Sequence, residues 1–169
     1  MEYISRNYGR IMIVFIDIED TVIDDLTTCN WLEENCAKIK SFLEKNEEQI
    51  ELVHIYTWGW TNNLEIDKEI ILNIYEKLGV PTYSCGWCIT KESSVDFCIN
   101  GGWLKEEDKE TAMIPGMMSN EFALDKTMVF LLMTRDERNK GNTCILIDDT
   151  AETNWNCDKN AITINPVDL

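Results

Sequence analysis

Two short apolar runs, one toward each end of the chain, stop abruptly in carboxylates. Ile11-Met12-Ile13-Val14-Phe15-Ile16 leads into Asp17-Ile18-Glu19-Asp20-Thr21-Val22, and Cys144-Ile145-Leu146-Ile147 leads into Asp148-Asp149-Thr150. Continuous runs rich in β-branched residues suit strands buried on both faces, as in a parallel sheet covered by helices. In such sheets ligands bind beyond the carboxyl ends of the strands. Two strands ending in Asp at one edge would gather several negative charges in one crevice. Like charges that close are costly unless a cation neutralises them, and clustered oxygen ligands suit Mg²⁺.

The intervening segments carry the alternation that such a sheet requires. Residues 1–10 read as a polar lead-in, 11–17 as a strand and 18–28 as a polar connection. Residues 29–48 form an amphipathic helix with Trp31, Leu32, Cys36, Ile39, Phe42 and Leu43 near one face. Residues 50–57 read as a second strand. Residues 64–78 place Leu64, Ile66, Ile70, Ile71, Ile74, Tyr75 and Leu78 at helical spacing, with Gly79 as a stop signal and Pro81 beyond it. Strand, helix, strand, helix is the signature of parallel α/β architecture. Residues 81–118 break the rhythm with two tryptophans, three cysteines, Gly101-Gly102 and Pro115-Gly116. They read as a small irregular insertion or cap, with room for a β-hairpin. Residues 120–136 return to helix with Asn120 or Ser119 as N-cap, and strands at 143–148 and 160–164 complete the sheet. The expected fold is a Rossmann-like three-layer α/β sandwich with a mainly parallel sheet, as one domain over 1–169.

Composition narrows the partners. A net charge of −16, from 31 acidic and 15 basic residues, repels phosphate backbones and anionic membranes at long range. It argues against double-stranded nucleic acid as a partner, while a small anionic substrate would need local cations to enter. No apolar stretch approaches the roughly 20 residues of a membrane span, and no signal-peptide pattern opens the chain, so a cytoplasmic location is the expectation. Seven cysteines, an odd number, fit free thiols in a reducing compartment. Cys29, Cys36, Cys98, Cys144 and Cys157 lack metal-like spacing. Cys85-Gly86-Trp87-Cys88 could serve redox chemistry or half a zinc site, although the only histidine, His54, lies inside an apolar strand.

With these residues in place, the chain resembles the haloacid dehalogenase-like (HAD) superfamily of hydrolases over roughly residues 11–164. That family's first motif, an apolar strand followed by D-x-D-x-T/V, is matched with one substitution by Asp17-Ile18-Glu19-Asp20-Thr21-Val22. The second, a strand ending in Thr or Ser, is matched by Ile55-Tyr56-Thr57. The third, a Lys some twenty residues ahead of the fourth, is matched by Lys126 in Ala123-Leu124-Asp125-Lys126-Thr127. The fourth, an apolar strand ending in Asp-Asp, is matched by Ile145-Leu146-Ile147-Asp148-Asp149.

The resemblance implies a Mg²⁺-dependent phosphohydrolase acting on a small phosphomonoester, with a nucleotide among the candidates. It implies Asp17 as nucleophile, Glu19 as acid/base, Thr57 as a phosphate hydrogen-bond donor and Lys126 as the charge-neutralising cation. It also implies a metal held by Asp17, by residue 19 and by Asp148 or Asp149. Trp58 and Trp60, directly after Thr57, are candidates for stacking on a substrate base or shaping an apolar pocket, with packing in the protein interior as the alternative. Trp87 and Trp103 invite the same two readings. Glu19 stands where the family has Asp, and Asp20 where Gly is usual. Three readings follow: an active phosphatase using Glu19, a slow or specialised hydrolase in which Glu19 transfers no proton, and a fold kept for binding a nucleotide or a protein.

Overall fold

The computed structural model describes residues 11–114, 124–151 and 160–169. Its strands are Met12–Ile16 (β1), Ile50–Tyr56 (β2), Cys85–Ile89 (β3), Thr143–Ile147 (β4) and Ala161–Ile164 (β5). All pair in parallel, in the order β3-β2-β1-β4-β5. The chain therefore steps outward from β1 in one direction and returns to β1's other side for β4. That reversal makes the space between β1 and β4 the topological switch point, where open α/β sheets place their ligands.

The alternation along β1 builds both cores at once. Met12, Val14 and Ile16 face the helices Glu33–Lys45 (α1) and Lys68–Leu78 (α2), packing with Ile39, Phe42, Ile74 and Leu78. Ile13 and Phe15 face the other side, with Leu146 of β4, Tyr56 of β2 and Phe130 of the helix Lys126–Met133 (α5). Val14, Ile16, Ile145 and Ile147 are wholly buried, and truncating one such residue to Ala typically costs about 2–5 kcal/mol. The helix Lys91–Asn100 (α3) joins α5 through Val95, Cys98 and Val129, and Lys109–Met113 (α4) contributes Ala112 to the same cluster. The result is a three-layer α/β sandwich of Rossmann-like type.

Helix limits follow local capping rather than the apolar period alone. The first helix begins at Glu33 instead of 29, because Asp24 and Asp25 hold the preceding loop. Asp25 Oδ1 accepts from the amides of Thr27 and Thr28, and Asp24 Oδ1 from those of Asp25 and Asn30. Such side-chain bonds compete with helix formation. The second helix starts at Lys68 because Asp67 caps it, accepting from the amides of Glu69 and Ile70. Gly79 ends it at φ 70°, the left-handed conformation that disfavours any residue with a Cβ.

The segment 81–118 departs from the expected irregular insertion and hairpin. Its described part, to residue 114, contributes the edge strand β3 and the helices α3 and α4. The strand escapes a pattern reading because it is short, half-exposed and bulged. Val53 and Ile55 of β2 pair with Cys85 and Cys88, so three steps of β3 oppose two of β2. The bulge is fastened by His54, whose Nδ1 accepts the Trp87 amide at 2.9 Å. Burial lowers the His54 pKa, consistent with a neutral ring carrying its proton on Nε2. Thr90 then caps α3, its hydroxyl accepting from the Ser93 amide. The lead-in 1–10, Pro115-Gly116, the expected N-caps Ser119 and Asn120, and Cys157 lie outside the described residues. The helix α5 starts at Lys126 with Asp125 as its cap.

A Cβ built on Gly86 would lie 2.3 Å from His54 Nδ1, so no side chain fits there without displacing the imidazole. Gly86→Ala is expected to destabilise the protein by about 1–3 kcal/mol, through overpacking and the lost Trp87–His54 bond. Urea unfolding monitored by tryptophan fluorescence measures this, and an unchanged midpoint would remove the bulge's structural role.

Candidate active site

The backbone brings the acidic tips together before any side chain is considered. Ile16 and Ile147 are paired residues of β1 and β4. One residue further on, the Asp17 amide donates to the Ile147 carbonyl at 2.9 Å, and the Asp148 amide donates to the Ile164 carbonyl at 3.1 Å. On the other side of β1, the Thr57 amide donates to the Ile89 carbonyl at 3.0 Å. Asp17, Thr57 and Asp148 therefore sit at the same sheet edge because β1, β2 and β4 each carry their ladder one residue past the strand end.

Lys126 closes the arrangement from the helical layer. It is the first residue of α5, where Asp125 caps the helix by accepting from the amides of Thr127 and Met128. A cation at a helix N-terminus opposes the helix dipole. Here the cost is offset by two carboxylates: Lys126 Nζ lies 2.6 Å from Asp17 Oδ1 and 2.7 Å from Asp148 Oδ2. The ammonium bridges the tips of β1 and β4, and its side chain is only 17% exposed.

Asp149 completes an acidic group. Asp17, Asp148 and Asp149 each place a carboxylate oxygen within 4.8 Å of the others'. Asp148 is held by Thr150, whose amide and hydroxyl both donate to its Oδ1. The Asp149 amide donates to Thr21 Oγ1 at 3.0 Å, and its carbonyl accepts from the Asn165 side chain. Among the described residues, three carboxylates meet one ammonium, leaving two formal negative charges uncompensated when all ionise.

The proton affinities follow from that imbalance. Burial, opposed by Lys126 and reinforced by Asp148, pushes Asp17 up to about 7. One lysine shared by two carboxylates does not offset the loss of water around Asp17. Burial together with Asp148 and Asp20 also raises Asp149. For Asp148, burial pushes upward, but Lys126 and the Thr150 hydrogen bonds prevail and hold it below the usual carboxylate range. Burial pushes Lys126 down, yet the two aspartates prevail and its pKa is raised. Oxygen donors in a small cluster with excess negative charge are the donor set that a hard divalent cation such as Mg²⁺ takes.

The other expected residues fall into distinct places. Glu19 stands apart from the three-aspartate cluster. It is half-buried, its Oε1 accepting the Leu26 amide at 3.3 Å. A Cβ on Gly59 would come within 2.0 Å of Glu19 Oε2, so Gly59 provides the notch that the longer side chain occupies. Asp20 has φ 56°, the left-handed region that Asp and Asn enter more readily than most residues with a Cβ. Thr57 is fully buried; its Oγ1 accepts the Gly59 amide at 3.1 Å, which leaves its own proton to donate.

Trp58 is half-buried, with Nε1 donating to Ser94 Oγ at 3.1 Å and Lys91 Nζ 5.6 Å from its ring centroid. Trp60 is 6% exposed and packs in the α1–α2 core, placing its indole away from any open surface. Trp103 stacks on Phe97, with Arg135 over the ring, while Trp87 stands 77% exposed on the edge strand. Arg138 binds the Leu131 carbonyl and the Thr134 hydroxyl.

Cys85 and Cys88 lie on a strand rather than at a helix start, and the bulge packs both against the α1–α2 core. Burial raises both thiols, Cys88 to about 11, so neither is a ready thiolate at neutral pH.

Sequence reasoning alone passed over three contributors. Gly59 and Thr150 lie beside recognised positions, and only contact distances reveal what they do. Tyr56, quoted only as part of the second motif, carries no residue-type signal of its hydroxyl's bond to the Lys126 carbonyl. Comparison with protein-family models, curated proteins and solved structures gives no match to this chain.

The raised Asp17 fixes the sign of a pH effect. Its folded pKa of about 7 exceeds the unfolded value near 3.9, so between those limits the native state binds more protons than the unfolded chain. Metal-free protein should therefore lose stability as pH rises from about 4 to 7. The raised Asp149 acts in the same direction and the lowered His54 in the opposite one, while the lowered Asp148 acts only below that window and the raised Lys126 only far above it. The share of Asp17 is therefore the difference between the native sequence and Asp17→Asn. Urea midpoints in a chelator across this range should fall with pH for the native sequence and fall less for Asp17→Asn; equal slopes would contradict the assignment.

Proposed function

We propose that this chain is a HAD-like, Mg²⁺-dependent phosphohydrolase acting on a small phosphomonoester, a nucleotide among the candidates. The observation that carries the reading is the Lys126 ammonium bridging Asp17 and Asp148 beside Asp149, at the switch-point edge of a parallel sheet. Asp17, Lys126 and the Asp148-Asp149 pair come to it from three separate segments, and Thr57 follows the neighbouring strand β2 at the same sheet edge.

The reaction divides into two displacements. An Asp17 carboxylate oxygen attacks phosphorus, forming an aspartyl-phosphate while the bond to the leaving oxygen breaks and Glu19 donates the proton that oxygen needs. Water then attacks phosphorus, giving its proton back to Glu19 as the aspartyl bond breaks and inorganic phosphate leaves. Lys126 and the Thr57 hydroxyl offset charge on the phosphoryl oxygens, the electrostatic work that dominates such transfers. Asp17, Asp148 and Asp149, with the backbone of Glu19, would hold Mg²⁺. When bound, the ion supplies charge neutralisation at the phosphoryl group and keeps Asp17 deprotonated.

Glu19 favours a second reading. Its carboxylate is bound to the Leu26 amide and fills the notch at Gly59, separate from the aspartate cluster. A group held there serves as acid/base only if the Leu26 bond is exchanged when substrate enters. If it stays, the same site binds a phosphorylated ligand with little or no turnover.

Phosphate release from p-nitrophenyl phosphate and a panel of nucleoside monophosphates separates the two. Hydrolysis should require Mg²⁺ and stop in EDTA. Asp17→Asn should lower it by at least about 10³-fold, and Lys126→Met by about 10²–10³-fold. Activity undiminished in Asp17→Asn would refute the nucleophile. Mg²⁺-dependent ligand binding without turnover would establish the second reading.

A further inference from the structure

We propose that Tyr56 is the positioning residue that fixes Lys126 in its bridge between the two aspartates. Its geometric basis is independent of the phosphohydrolase reading; its catalytic consequence rests on that reading. Tyr56 is the last residue of β2 and is wholly buried. Its hydroxyl donates to the Lys126 carbonyl at 2.9 Å, and its ring centroid lies 5.4 Å from Lys126 Nζ. One side chain thus holds both the backbone and the ammonium of the same lysine.

The anchoring continues through the sheet. Tyr56 packs edge-on to Phe15 of β1 at 6.2 Å, and Phe15 packs edge-on to Phe130 of α5 at 5.3 Å. Phe130 lies one helical turn beyond Lys126, so α5 is fixed at two levels against β1 and β2. This matters because the bridge has little tolerance. Its two contacts, 2.6 and 2.7 Å, reach carboxylates on different strands, so sliding the first turn of α5 would lengthen at least one. A displacement of about 1 Å at a site like this can cost 10²-fold in rate. Asp17 fixes the bridge from β1, Asp148 from just beyond β4, and Tyr56 from β2.

The test compares Tyr56→Phe with Tyr75→Phe in the full chain. Tyr75 is a buried tyrosine on the opposite face, whose hydroxyl donates to the Val53 carbonyl at 2.9 Å. Its variant therefore loses a similar bond far from Lys126. The first readout is the ¹⁵Nζ ammonium signal of Lys126, assigned by its loss in Lys126→Arg. Proton exchange at that signal should quicken by about tenfold in Tyr56→Phe and stay unchanged in Tyr75→Phe. The second readout is Mg²⁺-dependent hydrolysis of p-nitrophenyl phosphate, where kcat should drop about tenfold in Tyr56→Phe with KM within about twofold. An unchanged Lys126 signal in Tyr56→Phe, or an equal change in Tyr75→Phe, would overturn the assignment. If the native sequence hydrolyses nothing, the phosphohydrolase reading falls while the ammonium signal still decides the role of Tyr56.

Discussion

One ammonium shared between two carboxylates organises this molecule's acidic edge. Asp17 and Asp148 emerge from adjacent parallel strands whose register leaves them no choice but proximity. Without a cation, two buried aspartates that close would repel each other and lose the water that stabilises their charge. Lys126 supplies that cation from the first turn of a helix, a position where its charge works against the helix dipole. Neither the helix start nor the paired strand ends would be favourable alone, and each offsets the other's cost. With Asp149 included, the compensation among the described residues is incomplete, and the proposed Mg²⁺ site rests on that residual charge.

The parts of this arrangement legible from residues alone are those with a strong periodic signal. The runs before Asp17 and Asp148 are apolar on both faces, and the sheet buries them on both faces. Gly79 ends its helix as the residue type and position suggest. The strand β3 was not legible, because Cys85-Gly86-Trp87-Cys88-Ile89 is a bulged edge strand held by a histidine on its neighbour. Nothing in its own composition carries that tertiary bond. Helix starts were misjudged for a related reason: Asp24, Asp25 and Asp67 capture backbone amides locally, and the apolar period runs on past them.

For the candidate site, the strand-end aspartates were legible from the sequence, while the surroundings of Glu19, Trp58 and Trp60 were not. Asp17, Asp148 and Asp149 meet at one edge as their strand-end positions suggest, and Lys126, expected inside a helix over 120–136, joins them from the first residue of α5. Trp58 and Trp60 are only two residues apart in sequence, yet one lies under α3 and the other in the opposite core. Gly59, between them, clears space for the Glu19 carboxylate. The reach of the Glu19 side chain is thus matched by a missing Cβ on the facing loop. The pair accommodates a longer arm, and that arm's bond to the Leu26 amide determines whether it can serve the chemistry.

The central claim is that Asp17, backed by Lys126 and the neighbouring aspartates, receives a phosphoryl group at a Mg²⁺ site. Fluorine NMR of the protein with beryllium fluoride, a mimic of an aspartyl-phosphate, tests it without requiring a known substrate. The account predicts bound fluorine resonances that appear only with Mg²⁺ and vanish in Asp17→Asn. No bound resonances in the native sequence, or the same resonances in Asp17→Asn, would contradict it.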